Sequence, residues 1–425
     1  MPSDHSEPPS PVLATGANPD TARSDRAPSV PRTLLLSLFF FSGVSGLIYE
    51  VVWSRMFKLV LGTTVYSVAT VLGVFMGGLA LGSWIFGRIA DRRGANGMRL
   101  YGWLEIGIGL FAFLLPSLMT LADAVYRAAW PLVSGSFVGQ TCLRVLLTTG
   151  ILIVPSTLMG GTLPALSRFL VRRMERSGLE IGSLYSINTL GAVAGTLAAG
   201  FFLLELLGIR LSLTLAAAVN LAVGAIALQL SRRLVANDEP ARMPPEPAST
   251  SRYSPVQIRR TLHVFALSGF AALALEVLWT RALMYFVFID TWAFTAMLAA
   301  FLSGIGLGSL VTARIADRIR DPLKALAWVE ALIGLAAALS IPLFGLLHDI
   351  GQSDRWNVLG EATLLRHIGM KLSQSFIIML GPTLLMGAAF PLVSRLYVIG
   401  RGQVGRGIGT LYALNTLGAI AGSIA

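Results

Sequence analysis

Two carboxylates, Glu50 and Glu276, stand deep inside long apolar runs. Glu50 lies about 17 residues into its run, roughly 25 Å along a helix that rises 1.5 Å per residue. A charge held well inside hydrocarbon costs on the order of 3 kcal/mol, so such a side chain normally faces protein or water. Arg55 and Arg281 follow the two acids at the same spacing. Five residues is roughly 140° around a helix, so neither arginine pairs well with the acid on its own straight helix. The chemistry open to such a residue is binding of a cationic amine or of a proton. The alternatives are a structural salt bridge to another helix and a carboxyl kept neutral.

The two acids are copies of one another. Ser42-Gly43, Glu50, Trp53 and Arg55 reappear as Ser268-Gly269, Glu276, Trp279 and Arg281, 226 residues later. Gly78, Leu81, Gly82 and Ser83 reappear as Gly304, Leu307, Gly308 and Ser309, and Arg88-Ile89-Ala90-Asp91-Arg92 as Arg314-Ile315-Ala316-Asp317-Arg318. The offset slips to 225 at Trp103 and Glu105 against Trp328 and Glu330. It settles at 227 for Met159-Gly160, Pro164, Ser167 and Arg168 against Met386-Gly387, Pro391, Ser394 and Arg395. Leu184-Tyr185, Asn188-Thr189-Leu190-Gly191 and Gly195 keep that offset to Leu411-Tyr412, Asn415-Thr416-Leu417-Gly418 and Gly422. One hydrophobic module has been duplicated.

The elements that carry these residues are membrane spans. The chain has 425 residues, of which 54% are apolar and 13% charged, against about 25% charged in a soluble domain. Its apolar runs reach the ~20 residues needed to cross ~30 Å of hydrocarbon. This is an all-α polytopic chain whose partner is the lipid bilayer. The net charge of +11 does not point to nucleic acid, because the basic residues sit in short loops where they read as topology signals. The lone Cys142 excludes an internal disulfide and reads as a small buried hydrophobe.

Six spans are expected in the first repeat, near 33–59, 63–87, 100–121, 142–167, 183–206 and 209–230. Five follow near 261–286, 290–313, 325–347, 369–394 and 409–425. Residues 1–32, rich in Pro and Ser, read as a disordered cytoplasmic tail without the pattern of a signal peptide. Residues 231–259 read as a polar cytoplasmic linker. The domains are then a first repeat over 33–230 and a second over 260–425, truncated in its fifth helix, which points to a fragment, a truncated frame or a split gene. Of the 33 Lys and Arg, 24 fall on the side of the N-terminus, which makes that side cytoplasmic. An even number of helices per repeat gives two parallel halves related by an axis along the membrane normal.

The loop Gly87-Arg88-Ile89-Ala90-Asp91-Arg92-Arg93-Gly94 resembles the signature between the second and third helices of the major facilitator superfamily. Gly87, Asp91 and Arg92, with Asp317 and Arg318 in the second copy, are the candidate latch, since carboxylates and guanidiniums at helix ends can hold one state. Positive-inside charge is the plainer reading. Glycine pairs at four-residue spacing, Gly78/Gly82, Gly191/Gly195, Gly304/Gly308 and Gly418/Gly422, let helices approach closely. The resemblance sets the second helix against the eleventh and the fifth against the eighth. It thereby implies Gly78/Gly82 against Gly418/Gly422, and Gly191/Gly195 against Gly304/Gly308. It also implies a central cavity lined by the first and seventh helices, with Glu50 and Glu276 across it and Arg55 and Arg281 at its mouth.

The remaining motifs are less telling. Gly304-Ile305-Gly306-Leu307-Gly308 imitates a dinucleotide loop, but no strand precedes it and it lies inside a span. Glu105 and Glu330, near the cytoplasmic helix ends, read as partners for inner-loop arginines. Glu205 reads as interfacial, and Trp130 and Trp356 as part of an interfacial belt. Nothing groups His5, His263, His348 and His367 into a metal site, and no cofactor is expected.

Gly46-Leu47-Ile48-Tyr49-Glu50-Val51-Val52-Trp53-Ser54-Arg55, Gly77-Gly78-Leu79-Ala80-Leu81-Gly82-Ser83 and Asn188-Thr189-Leu190-Gly191-Ala192 together resemble the membrane portion of the fused major-facilitator/spermidine-synthase family. The resemblance implies a bacterial inner-membrane protein, a transporter-like module for polyamines or related cations, and a cytoplasmic aminopropyltransferase-like domain as partner. It leaves open a non-transporting anchor or sensor for that domain. No strand, glycine-rich loop and acid arrangement occurs here, so no catalytic residue is carried over and this chain is not expected to be an enzyme.

Overall fold

The computed structural model describes residues 30–61, 65–92, 96–171, 176–237, 253–286, 291–352, 364–398 and 403–425. Most of the expected tail, the middle of the expected linker, His5 and Trp356 lie outside the described residues. The described residues are helical almost throughout. The first half comprises α1 (Arg32–Leu61), α2 (Val65–Ala90), α3 (Gly97–Val133), α4 (Phe137–Gly160), α5 (Thr162–Leu170), α6 (Ser177–Ala198), α7 (Leu204–Leu206) and α8 (Gly208–Asn237). The second comprises α9 (Pro255–Phe286), α10 (Thr291–Ala316), α11 (Pro322–Gln352), α12 (Leu364–Tyr397) and α13 (Val404–Ile424). Eleven of the resulting segments are long and apolar enough to cross a bilayer, with α4 and α5 forming one and α6 and α7 another. The chain is an integral membrane protein.

The helices outrun the apolar runs that announce them. α3 extends from Gly97 to Val133, well past the expected 100–121. α8 continues to Asn237 and α9 starts at Pro255, so helix occupies both ends of the expected linker. Hydropathy marks only the part of a helix that sits in hydrocarbon, while backbone hydrogen bonding continues until a cap or breaker intervenes. Asn96 is such a cap at the start of α3, its side chain accepting from the amides of Met98 and Arg99. Between α6 and α7 a π-helical turn covers Ala199–Leu203. The corner into α8 is made by Gly208 at φ 71°, a left-handed conformation that favours glycine.

Each half is tied internally by the residues that repeat. The amide of Asn188 on α6 donates to the carbonyl of Phe39 on α1 at 3.1 Å. Asn415 on α13 does the same to Phe265 on α9 at 3.0 Å. The glycine pairs bring backbones together within the halves. A Cβ at Gly191 or Gly195 would land on the α1 carbonyls of Phe40 and Val44, and one at Gly418 or Gly422 on the α9 carbonyls of Ala266 and Phe270. Gly78 and Gly82 press on Ser156 and Thr157 of α4, and Gly304 and Gly308 on Thr383 and Leu384 of α12. The expected cross-half pairing of these glycines is therefore not what the structure shows. Four-residue spacing gives a shared helix face but does not say which neighbour fills it.

The apolar core has a telling shape. On the face where α1 begins, here the near face, one cluster runs across both halves, from Leu35, Met98 and Ile181 to Phe265, Phe390 and Ile408. Toward the far face it separates into a first-half cluster around Tyr49, Trp53 and Leu152 and a second-half cluster around Trp279, Leu283 and Met379. The halves share one apolar core at the near face and have separate cores toward the far face.

Replacing Gly308 by Val is expected to cost about 1–3 kcal/mol through overpacking against α12. Gly150→Ala, where an added Cβ meets nothing within 4 Å, should leave stability unchanged or slightly raised. Thermal unfolding of the purified variants in detergent compares the two.

Candidate functional site: a near-face seam and a cleft between the halves

Two helices begin at the near-face seam, and their first amide groups have no carbonyl within their own helix. Asp91, just after α2, supplies the start of α13: its carboxylate accepts from the amides of Gly405 at 3.0 Å and Arg406 at 2.6 Å. Asp317, just after α10, supplies the start of α6, accepting from Gly178 at 3.0 Å and Leu179 at 2.9 Å. Each acid thus caps a helix of the opposite half. A carboxylate at a helix N-terminus also gains from the helix dipole.

The guanidiniums in the seam are not the expected Arg92 and Arg318, which are exposed. They are Arg168 on α5, 3.2 Å from Asp91, and Arg395 on α12, 3.9 Å from Asp317. Arg395 also donates to the carbonyls of Ala316 and Ile319. Arg88 stays on its own helix, 3.8 Å over the ring of Trp84. Arg168 and Arg395 repeat in the sequence, and that repetition was the signal that marked them. They read as topology charges because their partners are distant in sequence.

Backbone contact completes the seam. Gly87 meets the carbonyl of Gly405, Gly409 meets that of Ser83, and Gly182 meets Ala313 and Pro391. The hydroxyls of Ser186 and Ser309 cross it to the carbonyls of Gly306 and Gly182, at 2.7 and 3.2 Å. Tyr185 stacks on Phe390 at 4.3 Å. The second helix does pack on the eleventh and the fifth on the eighth, through these residues rather than through the four glycine pairs.

The Asp91 side chain is mostly buried, and burial raises its carboxyl above the usual aspartate range, while the bonds from Arg406 and Gly405 and the charge of Arg168 pull it down. The net direction is up. By linkage, a carboxyl raised in the closed seam makes that arrangement more stable on the acid side, and the gain is lost as pH climbs through the raised value.

The sequence-expected acids come one from each half. Glu50 on α1 and Glu276 on α9 are each partly accessible and interact electrostatically with one another. Tyr412 on α13 lies within electrostatic reach of Glu50, and Tyr185 on α6 within reach of Tyr412. The two tyrosines repeat in the sequence but carry no charge to draw attention. Arg55 is partly buried and Arg281 exposed; neither forms an ion pair with the acids.

Other expectations are revised. Glu105 meets no arginine. It is fully buried, taking hydrogen bonds from Ser42 at 2.5 Å and from Asn220. Glu330 is bonded by Ser268. Glu205, exposed, accepts from the indole of Trp292 at 2.7 Å, across the halves. Cys142 is exposed rather than buried.

No known protein-family profile matches the sequence. A stretch of 216 residues is 31% identical to "Polyamine aminopropyltransferase 2" of Streptomyces coelicolor, covering 50% of this chain and 37% of that protein. The chain thus matches little more than a third of the length of that relative. Among solved structures, a bacterial homologue of the iron transporter ferroportin in an outward-facing state aligns at TM-score 0.57 and 16% identity, covering 91% of this chain and 89% of the other. The major facilitator superfamily transporter FucP in the outward conformation aligns at TM-score 0.51 and 16% identity, covering 94% and 91%. The human organic anion transporter MFSD10 aligns at TM-score 0.52 and 15% identity, covering 93% of each chain. The fold is that of the major facilitator superfamily.

Asp91→Ala removes two cap bonds, each cap being worth about 0.5–2 kcal/mol, and should open the seam. A cysteine placed at the fully buried Ile408, with Cys142 changed to Ser, is expected to alkylate faster in Asp91→Ala, whereas the exposed Arg92→Ala leaves its rate unchanged. In Asp91→Asn, any acid-side slowing of that labelling, normalised to an exposed cysteine, should disappear.

Proposed function

We propose that this chain is the transport module of a membrane protein that moves small organic cations by alternating access, with Glu50 and Glu276 as the cation or proton site. The single observation that carries the reading is the pairing of two membrane-embedded carboxyls, one from each half, within electrostatic reach of each other. Like charges brought together in a poorly hydrated place are held apart from full ionisation unless a cation or a proton joins them. A ligand with two positive ends, or a proton and an amine in turn, answers that need. Tyr412 and Tyr185 supply apolar rings with hydroxyl tips along the same wall, and Arg55 and Arg281 stand toward the far end of the same two helices.

The joined apolar core at the near face and the separate cores beyond it support the mechanism. The site lies on the two helices that start at the near face and sits beyond the joined core. Release to the near face requires Asp91 and Asp317 to leave the helix ends they cap, so the latch and the site belong to one motion. The polyamine class draws its support from the aminopropyltransferase relative. The excess of Lys and Arg on the near side supports a cytoplasmic N-terminus and insertion in a bacterial inner membrane.

The same relative supports a second reading, in which these helices anchor a cytoplasmic aminopropyltransferase domain, or sense for it, without moving a substrate. On either reading the chemistry of that domain belongs to residues outside this chain, and the helical chain is not itself an enzyme.

Proteoliposomes holding the protein should accumulate labelled putrescine or spermidine. Glu50→Gln and Glu276→Gln should each lower uptake about tenfold or more, since a hydrogen bond to a charged group is worth about 1.5–3 kcal/mol. Absence of uptake for several amines under imposed pH gradients, together with intact biological activity of the double variant, would leave the anchor reading.

A further inference from the structure

We propose that Glu105 is a proton-binding site in the wall of the first half, separate from the Glu50–Glu276 pair, with Asn220 as the side chain that reads its protonation state. Glu105 on α3 is completely buried where α3 packs against α1 and α8. It forms no ion pair among the described residues. An ionised carboxylate with no counter-cation is costly to bury, and it persists only when hydrogen-bond donors surround it. Donors are present. The hydroxyl of Ser42 on α1 donates to Oε1 at 2.5 Å and the amide of Asn220 on α8 donates to Oε2, while Tyr101 lies beside the carboxyl with its hydroxyl donating to the carbonyl of Leu38 at 3.3 Å.

The second half of the argument is the other end of the Asn220 amide. Its Oδ1 is buried and has no hydrogen-bond partner. An unpartnered carbonyl oxygen in such a place is costly to bury. Turning the amide by half a revolution places Oδ1 where Nδ2 now stands, facing the carboxyl. In that orientation Oδ1 can only accept, so it requires Glu105 to carry a proton and donate it. The Glu105 carboxyl therefore has a matching partner at Asn220 in each protonation state. Nδ2 donates to the carboxylate, or the protonated carboxyl donates to Oδ1. The step is simple: one proton from the aqueous phase binds one carboxylate oxygen, and no other bond is made or broken.

The surroundings leave the charge of Glu105 to these partners. Tyr49 on α1 and Tyr101 on α3 are the titratable groups that feel Glu105. On α1, Arg32 is bonded to Ser183, and Glu50 lies eight positions from Ser42, about 12 Å along the helix. On α3, Arg99 is exposed and six positions away, about 9 Å, while Arg127 pairs with Asp123. On α8, Arg210, Arg232 and Arg233 stand ten or more positions from Asn220, about 15 Å or more. α4 and α5 bring Arg144, bonded to Tyr126, and Arg168, paired with Asp91. In the internal copy Ser268 stands to Glu330 as Ser42 stands to Glu105. Ser42 and Glu50 share α1, so a change of bonding at Glu105 acts on the helix that carries the cleft acid.

Infrared difference spectroscopy of the full chain in lipid nanodiscs, scanned from about pH 9 to about pH 4 across the ordinary carboxyl range and above it, tests this directly. The expected result is a protonated-carboxyl band that grows on acidification, survives in Glu50→Gln/Glu276→Gln and is lost in Glu105→Gln. Asn220→Leu should shift the frequency of that band by removing its acceptor. Ser42→Ala should make it appear about one pH unit earlier on acidification, the loss of one bond to the charged form. Bands in Glu105→Gln identical to the wild type would overturn the proposal, as would a Glu105 band of constant intensity at every pH. Should Glu105→Gln fail to fold, a titrating band indifferent to both Asn220→Leu and Ser42→Ala would overturn it equally.

Discussion

An α-helix starts with amide groups that its own carbonyls cannot reach, and at a membrane face these groups need a partner from elsewhere. Two helices of this chain start at the boundary between its halves. Each draws its partner from the opposite half, α13 from Asp91 and α6 from Asp317. The exchange is reciprocal, so neither half can move away without uncapping a helix on both sides. The consequences extend outward from these four bonds. Closing the near ends allows a single apolar cluster to run through both halves there. The same closure leaves the far ends as two separate clusters, and the cleft acids lie where the separation begins.

Within each half a different need is met by the same economy of partners. Helices in lipid gain nothing from hiding apolar surface against one another, because the acyl chains are equally apolar. Close backbone approach and interhelical hydrogen bonds must hold them instead. This is what the repeated glycines and asparagines provide. Gly191 and Gly195 lie against carbonyls of α1 while Asn188 donates to another carbonyl of that helix. Gly418, Gly422 and Asn415 do the same against α9. A motif retained in both copies of a duplicated sequence is here a motif that seats one helix on its neighbour.

The sequence made the duplication, the spans and the two acids of the seam legible, because each leaves a local mark: an offset, a run of apolar residues, an acid at a helix end. What it did not make legible is which partner an exposed face or a charge meets. The glycine spacing of Gly78 and Gly82 fits α4 as well as it fits α13, and the choice depends on the order of helices around the bundle. Arg168 looked like one more topology charge, since its acid lies 77 positions earlier in the chain. Glu105 reads as close to the aqueous face because it stands five residues into the expected span 100–121, about 8 Å along a helix. Its burial is produced by α1 and α8 closing over it, and no local pattern encodes that.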